Sequence, residues 1–239
     1  MTHSEDRIAT RPKSVVLVAG TGTEVGKTWV TSRLITELRT QQVIVQARKP
    51  AQSFETEDVT TDADQLAQAS GEDPRSVCPE HRCYQVAMAP PMAADALGRT
   101  AITITDLAAE ITSSWNSTLP ATGPAQIGFV ESAGGPWSPI AHDGDCLDLA
   151  RLLAPEAIIL VADAGLGTIN AVRPAVRELK TIAPVLLTLN RFNPTNELHE
   201  RNKAWLKQYY GIDSSTSVAL LSAQLLALLA AEGLPDSHM

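Results

Sequence analysis

Lys27 and Thr28, with Gly26 before them, stand where a chain would manage phosphate chemistry. They close the stretch Val15–Thr28, VVLVAGTGTEVGKT. Four apolar residues run into Ala19-Gly20, a loop of small residues follows, and Gly26-Lys27-Thr28 opens a helical pattern. Strand, glycine loop and helix in that order make an anion cradle. Backbone N–H groups of the loop and helix start point at phosphate, the Lys27 ammonium adds a mobile positive charge, and the Thr28 hydroxyl suits Mg²⁺. The usual spacing asks for a glycine five residues before Gly26, where this chain has Thr21, and Gly20 lies one residue further back. The loop is therefore a lengthened form of the pattern, and Gly22, Thr23, Glu24, Val25, Gly26, Lys27, Thr28 and Trp29 are its expected nucleotide contacts. A loop that binds nothing is the alternative. Gly-Lys-Thr directly after an apolar strand speaks against it, and a nucleoside triphosphate is the expected ligand.

Mg²⁺ on a nucleotide takes hard oxygen ligands and keeps several waters, so one hydroxyl and two carboxylates suffice. Glu131 ends IGFVE ahead of a tight Ser-Ala-Gly-Gly loop, and Asp163, ending IILVAD, has the same local look. Asp62 and Asp64 open a helical pattern, TTDADQLAQ, where local pattern alone favours a cap or a dipole partner. Lys49 closes a strand before Pro50 on the edge that carries the phosphate loop, so it is either a solvated strand end or a second cation for a transferring phosphoryl group. Ser53, four residues on, is a turn hydroxyl or a substrate contact. His142 lacks a partner in sequence and is expected at the surface. Cys78, His81 and Cys83 lack a nearby fourth ligand and are expected to be free thiols beside an incidental histidine.

These residues need a scaffold that gathers strand ends. Apolar runs at Val15–Ala19, Val43–Ala47, Ile127–Val130, Ala157–Val161 and Val185–Leu189 read as buried parallel strands. Helical patterns cover Lys27–Arg39, Asp62–Ala69, Pro91–Leu97, Asp106–Trp115, Leu147–Leu153, Ile169–Leu179 and Thr195–Gln208. Val218–Leu221 is expected as a further strand, with a core-packed helix over Ala223–Ala231. The alternation predicts an α/β fold: a doubly wound, mainly parallel sheet with helices on both faces. Ligands of such sheets gather at the carboxyl ends of the strands, where Lys27, Lys49, Glu131 and Asn190 should converge.

Taken together the motifs resemble the dethiobiotin synthetase family. The matching pieces are GTGTEVGKT (Gly20–Thr28), KPAQS (Lys49–Ser53), DQLA (Asp64–Ala67), MAPP (Met88–Pro91), VESAGG (Val130–Gly135), LGTIN (Leu166–Asn170) and LNR (Leu189–Arg191). The resemblance implies a sheet of the P-loop NTPase type, a homodimer, a cytoplasmic location and the penultimate step of biotin biosynthesis. In that step ATP, CO₂ (or bicarbonate) and diaminopelargonic acid give a cyclic urea by way of a carbamate and a carbamic-phosphoric anhydride. It implies Lys27 and Lys49 as catalytic lysines, and Thr28, Asp64 and Glu131 as Mg²⁺ ligands, preferring Asp64 to Asp62 and Glu131 to Asp163. It further implies Ser53, Ala133 and Gly134 against the diamine, and Asn190 with Arg191 beside the base. Gly167, Thr168 and Asn170 would meet the substrate carboxylate from a neighbouring subunit. Ser132 stands where the family has glycine and would narrow the substrate pocket. Phe54 replaces another glycine. No Gly-x-Ile-Pro-like segment follows Asn190, which predicts weak choice among bases.

With 239 residues, 44% of them hydrophobic, the chain suits one substantial domain over 14–234, with a polar leader at 1–13 and a tail at 235–239. A net charge of −8 disfavours nucleic acid or an anionic membrane as partner. The alternatives are a paralogue with altered substrate or no ligase activity, and a partitioning-type nucleotide-switch ATPase. The latter carries an additional lysine at the start of its phosphate loop, which Ala19-Gly20-Thr21-Gly22 lacks.

Overall fold

In this computed structural model residues 11–115 and 125–232 are described. Most of the leader and all of the tail expected from sequence lie outside them. In chain order the elements are β1 (Ser14–Gly20), α1 (Lys27–Thr40), β2 (Ile44–Arg48), β3 (Gln52–Ser53), α2 (Asp62–Ser70), α3 (Pro74–Val77), β4 (Cys83–Tyr84), α4 (Pro90–Ala96) and α5 (Ile104–Ser114). There follow β5 (Gln126–Glu131), β6 (Pro139–Ala141), β7 (Gly144–Asp145), α6 (Cys146–Leu153), β8 (Ala157–Asp163) and α7 (Thr168–Leu179). The last are β9 (Val185–Asn190), α8 (Glu197–Tyr210), β10 (Ser214–Ser215) and α9 (Val218–Glu232).

Six of the strands form one parallel sheet in the order β10-β9-β8-β1-β5-β2. Its continuous apolar strands follow from burial on both faces. Val15, Leu17 and Ala19 of β1 join one core cluster, while the alternating Val16 and Val18 join another. The first cluster takes Leu107 of α5, Leu147 of α6, Val172 of α7 and Leu206 of α8. The second takes Val30, Leu34, Ile35 and Leu38 of α1, Leu66 of α2 and Leu221 of α9. Their spacing puts one face of α1 on the sheet, and each fully buried Leu or Ile there stabilises the fold by about 1.5–3 kcal/mol. β1 is central and the chain passes to opposite sides of it, which opens a crevice above its carboxyl end.

One sequence expectation needs correction here. Val218–Leu221 is not a strand but the first turn of the single helix α9, and the sixth strand is Ser214–Ser215 just before it. A short apolar run does not distinguish strand from buried helix by itself. Leu221 and Leu225, four residues apart, are its fully buried apolar positions, which is helical spacing. His142 is exposed, as expected, but it is tied down. Its Nδ1 accepts from the Ile102 N–H at 2.9 Å and its Nε2 lies 3.0 Å from Asp95, pinning the segment before α5 to the end of β6.

Candidate functional site

The loop between β1 and α1 is shaped by backbone demands. Gly26 holds φ at +88°, and a Cβ there would sit 2.1 Å from the Asn190 amide nitrogen. Glycine is therefore required twice over, for the dihedral and for the space. The end of β9 clasps the same loop: Asn190 Nδ2 donates to Val25 O at 2.9 Å, and the Arg191 guanidinium donates to Glu24 O at 2.8 Å. Arg191 also pairs with Asp163 at 3.1 Å. Lys27 reaches across the crevice, its ammonium donating to Gly22 O at 3.1 Å and to Gly134 O at 3.0 Å. Burial, and then the neighbouring Lys49, push Lys27 below the ordinary lysine range, against the pull of Glu131 and Asp62.

Beside it lies a cluster built from side chains. Lys49 Nζ stands 2.7 Å from Asp62 Oδ2 and 2.9 Å from Glu131 Oε1. Burial works to lower its pKa, but the charges of Glu131 and Asp62 outweigh that and hold it above the usual lysine value. Burial likewise works to raise the Asp62 carboxyl, yet Lys49 and the Thr28 hydroxyl hold it below the usual carboxylate range. Thr28 Oγ1 is 2.7 Å from both Asp62 Oδ1 and Glu131 Oε1. One hydroxyl carries one proton, so Thr28 serves one of these oxygens at a time, and Glu131 Oε1 also accepts from Lys49. Glu131 Oε2 is fully buried with no hydrogen-bond partner.

A cavity of about 720 Å³ opens over this floor. Thr23, Glu24, Gly26, Trp29 and Arg191 line one side; Ser53, Met88, Ala133, Gly134 and Ser138 line the other. The Ser53 hydroxyl donates to Met88 O. A second cavity of about 400 Å³ continues past Trp29, between Asn190 and Phe192 and the Thr216-Ser217-Val218 segment.

Comparison with known proteins decides what this arrangement belongs to. A family model described as an AAA domain matches residues 14–223. The ATP-dependent dethiobiotin synthetase of Corynebacterium efficiens is 34% identical over 177 residues, which is 74% of either chain. That of Haloferax mediterranei is 32% identical over 81% of this chain and 79% of its own. The chain belongs to the dethiobiotin synthetase family. It is thereby placed among the ATP-dependent ligases, on a P-loop α/β sheet. A solved structure assigned to plasmid partition in Borrelia burgdorferi B31 overlays 93% of the chain with a TM-score of 0.51 at 13% identity, a likeness of fold alone.

Within this dethiobiotin synthetase-family site most sequence-predicted residues come together. Asp64 does not. Its carboxylate accepts from the Thr61 backbone N–H at 2.8 Å while the Thr61 hydroxyl accepts from the Asp64 N–H at 3.3 Å, a reciprocal cap on α2. Asp62, two residues earlier and set aside in the sequence reading, is the carboxylate that meets Thr28 and Lys49. Asp163 turns away, accepting from the Gly165 N–H at 2.7 Å. Ser132 does not narrow the cavity; it is buried beneath the loop and off the cavity wall. Gly167, Thr168 and Asn170 lie at the start of α7, outside both cavities. The Thr28 hydroxyl and the two carboxylate oxygens set against it, with Glu131 Oε2 buried and unpartnered beside them, fit Mg²⁺, whose octahedral ligand edges are about 2.9 Å long. The sequence reading missed Gln52, a buried amide on the cavity wall. His81 pairs with Glu110 at 3.1 Å, and among the described residues no group of three or more His, Cys, Asp or Glu could hold a metal by itself. No helix among them is long and apolar enough to cross a membrane.

Proposed function

We propose that this chain carboxylates diaminopelargonic acid and closes it to dethiobiotin at the expense of ATP. One amine takes up CO₂ as a carbamate and releases a proton. The γ-phosphoryl group passes from ATP to a carbamate oxygen, giving ADP and a carbamic-phosphoric anhydride. The second amine attacks the carbonyl carbon, phosphate leaves, and the cyclic urea forms. The observation that carries this reading is the pair of buried ammoniums, Lys27 and Lys49, on the floor of one cavity. A route that gathers carbamate and phosphoryl anions in one place needs two such charges.

Lys27 holds the β- and γ-phosphates. Lys49, kept charged by its carboxylates, faces the carbamate as negative charge builds there. Ser53, Ala133 and Gly134 line the diamine's place. Thr28, Glu131 and Asp62 hold Mg²⁺, which supplies positive charge against the phosphate oxygens when bound. Trp29 and Asn190 wall the base cavity, and the hydroxyls of Thr216 and Ser217 replace any Gly-x-Ile-Pro-like clamp. Bases are therefore weakly distinguished.

The substrate carboxylate is met by a second copy of the chain. The start of α7 has no side-chain cap, and the Thr168 hydroxyl is buried without a partner, which leaves N–H donors for an anion. Because these groups lie outside the two cavities beside the phosphate loop, a two-fold dimer brings them to the neighbouring site. Mixing Lys27→Ala with Asn170→Ala protein after subunit exchange then restores activity; no recovery despite proven exchange means the site is built within one chain.

Coupled assay of ADP release tests the reaction. Turnover that requires both diaminopelargonic acid and bicarbonate supports the synthetase. Diamine-independent turnover overturns it, and stimulation by DNA would instead favour a partitioning ATPase.

A further inference from the structure

Asp62 owes its aim to something other than its own contacts. It is the first residue of α2, a position where backbone N–H groups have no partner within the helix. The Thr61–Asp64 box satisfies two of the donors around it. Ala63, between Asp62 and Asp64, is served from elsewhere: its N–H donates to the side-chain oxygen of Gln52 at 3.0 Å. Gln52 is buried and reaches α2 from the short strand β3. Its orientation follows from chemistry, since a backbone N–H can only donate and so must face the amide oxygen. The amide nitrogen then donates to Cys83 Sγ at 3.2 Å, on the paired strand β4.

We propose that Gln52 is a positioning residue, which fixes the first turn of α2 so that Asp62 stays on Thr28 and Lys49. It touches neither Thr28 nor Lys49 itself and acts by holding the backbone on which Asp62 stands. The proposal rests on reading Thr28, Asp62 and Glu131 as the Mg²⁺ site.

The test compares Gln52→Met, close in volume but without an acceptor, with Gln52→Glu, which keeps one for Ala63. Titration calorimetry with a non-hydrolysable ATP analogue measures the Mg²⁺ concentration for half-maximal tightening of binding, with no catalysis involved. Gln52→Met should raise that concentration at least fivefold, leave analogue affinity without Mg²⁺ within twofold, and lower kcat more than it raises KM. Gln52→Glu should stay within threefold of the natural chain in its Mg²⁺ requirement. An unchanged requirement in Gln52→Met, or an equal loss in both variants, overturns the proposal. Should Gln52→Met fail to fold, Gln52→Glu decides alone: under threefold supports, threefold or more overturns. Asp62→Asn separates the two layers. If it leaves the Mg²⁺ requirement unmoved, the metal-site reading fails; if it shifts the requirement and Gln52→Met does not, only the role of Gln52 fails.

Discussion

The two halves of the site are made of different material. On the β1–α1 side the backbone does the work: Gly26 sits in the left-handed region, and Asn190 and Arg191 grip the carbonyls of Val25 and Glu24. On the β2–α2 side the arrangement is all side chain, with Lys49 shared between Asp62 and Glu131 and Thr28 set against both. A backbone cradle keeps its shape whatever charge enters it. A side-chain cluster keeps its shape only while its charges balance, so one removal is felt by all members.

That contrast can be broken most forcefully at Lys27. Lys27→Ala should lower turnover at least about a thousandfold and weaken triphosphate binding, because phosphate loses its charged hydrogen-bond partner. Calorimetry checks the second point, and unchanged affinity would unseat the assignment. Lys49→Ala should keep nucleotide affinity within a few-fold while kcat falls about a hundredfold. It also leaves Glu131 buried and unpaired, so thermal unfolding should register a loss of about 3 kcal/mol. The Lys27 variant, set among carbonyls, should lose far less stability.

A finer cut lies within α2. Asp62→Asn should raise the Mg²⁺ requirement about tenfold. Asp64→Asn should leave that requirement alone and cost about 1 kcal/mol of stability through its cap. Acid sharpens the same point. The Asp62 carboxyl lies below its ordinary range in the folded chain, so its stabilisation is complete above the ordinary carboxylate pKa and is lost as pH falls through the lowered value. Asp62→Asn should therefore flatten the acid limb of a stability profile. The smallest effect belongs to Cys83, whose thiol is brought down to about 7, first by its hydrogen bond with Cys78 and then by Gln52, against its half-burial. Alkylation at Cys83 should rise with a midpoint near there, while burial keeps Cys146 inert.

Most of the fold was legible because a doubly buried sheet leaves apolar runs and its helices leave a 3.6-residue stripe. The phosphate loop was legible for a related reason: a left-handed backbone with no room for Cβ permits one residue type at Gly26. Asp62 and Asp64 defeat that logic. They share a residue type within one turn, and a helix start needs a cap as much as a site needs a ligand. The capping box spends Asp64 on Thr61 and frees Asp62, and that outcome depends on where α2 begins against β3. Gln52 left no signal, since an amide acquires its meaning only from the neighbours that folding supplies. Val218–Leu221 failed on the ambiguity of four apolar residues, settled by the whole length of α9.

Lys27 rests on the carbonyls of Gly22 and Gly134, so its ammonium is already occupied before any nucleotide arrives. Those two carbonyls act as a built-in competitor. A triphosphate that recruits the lysine has to take it from them, and the measured affinity is the difference between the two attachments. The same exchange unties a strap, since Lys27 joins the loop after β1 to the loop after β5. Losing it would leave the segment that carries Ala133 and Gly134 held by the Ser132 N–H on Val18 O and the Gly135 N–H on the Ser138 hydroxyl, one tie fewer than before.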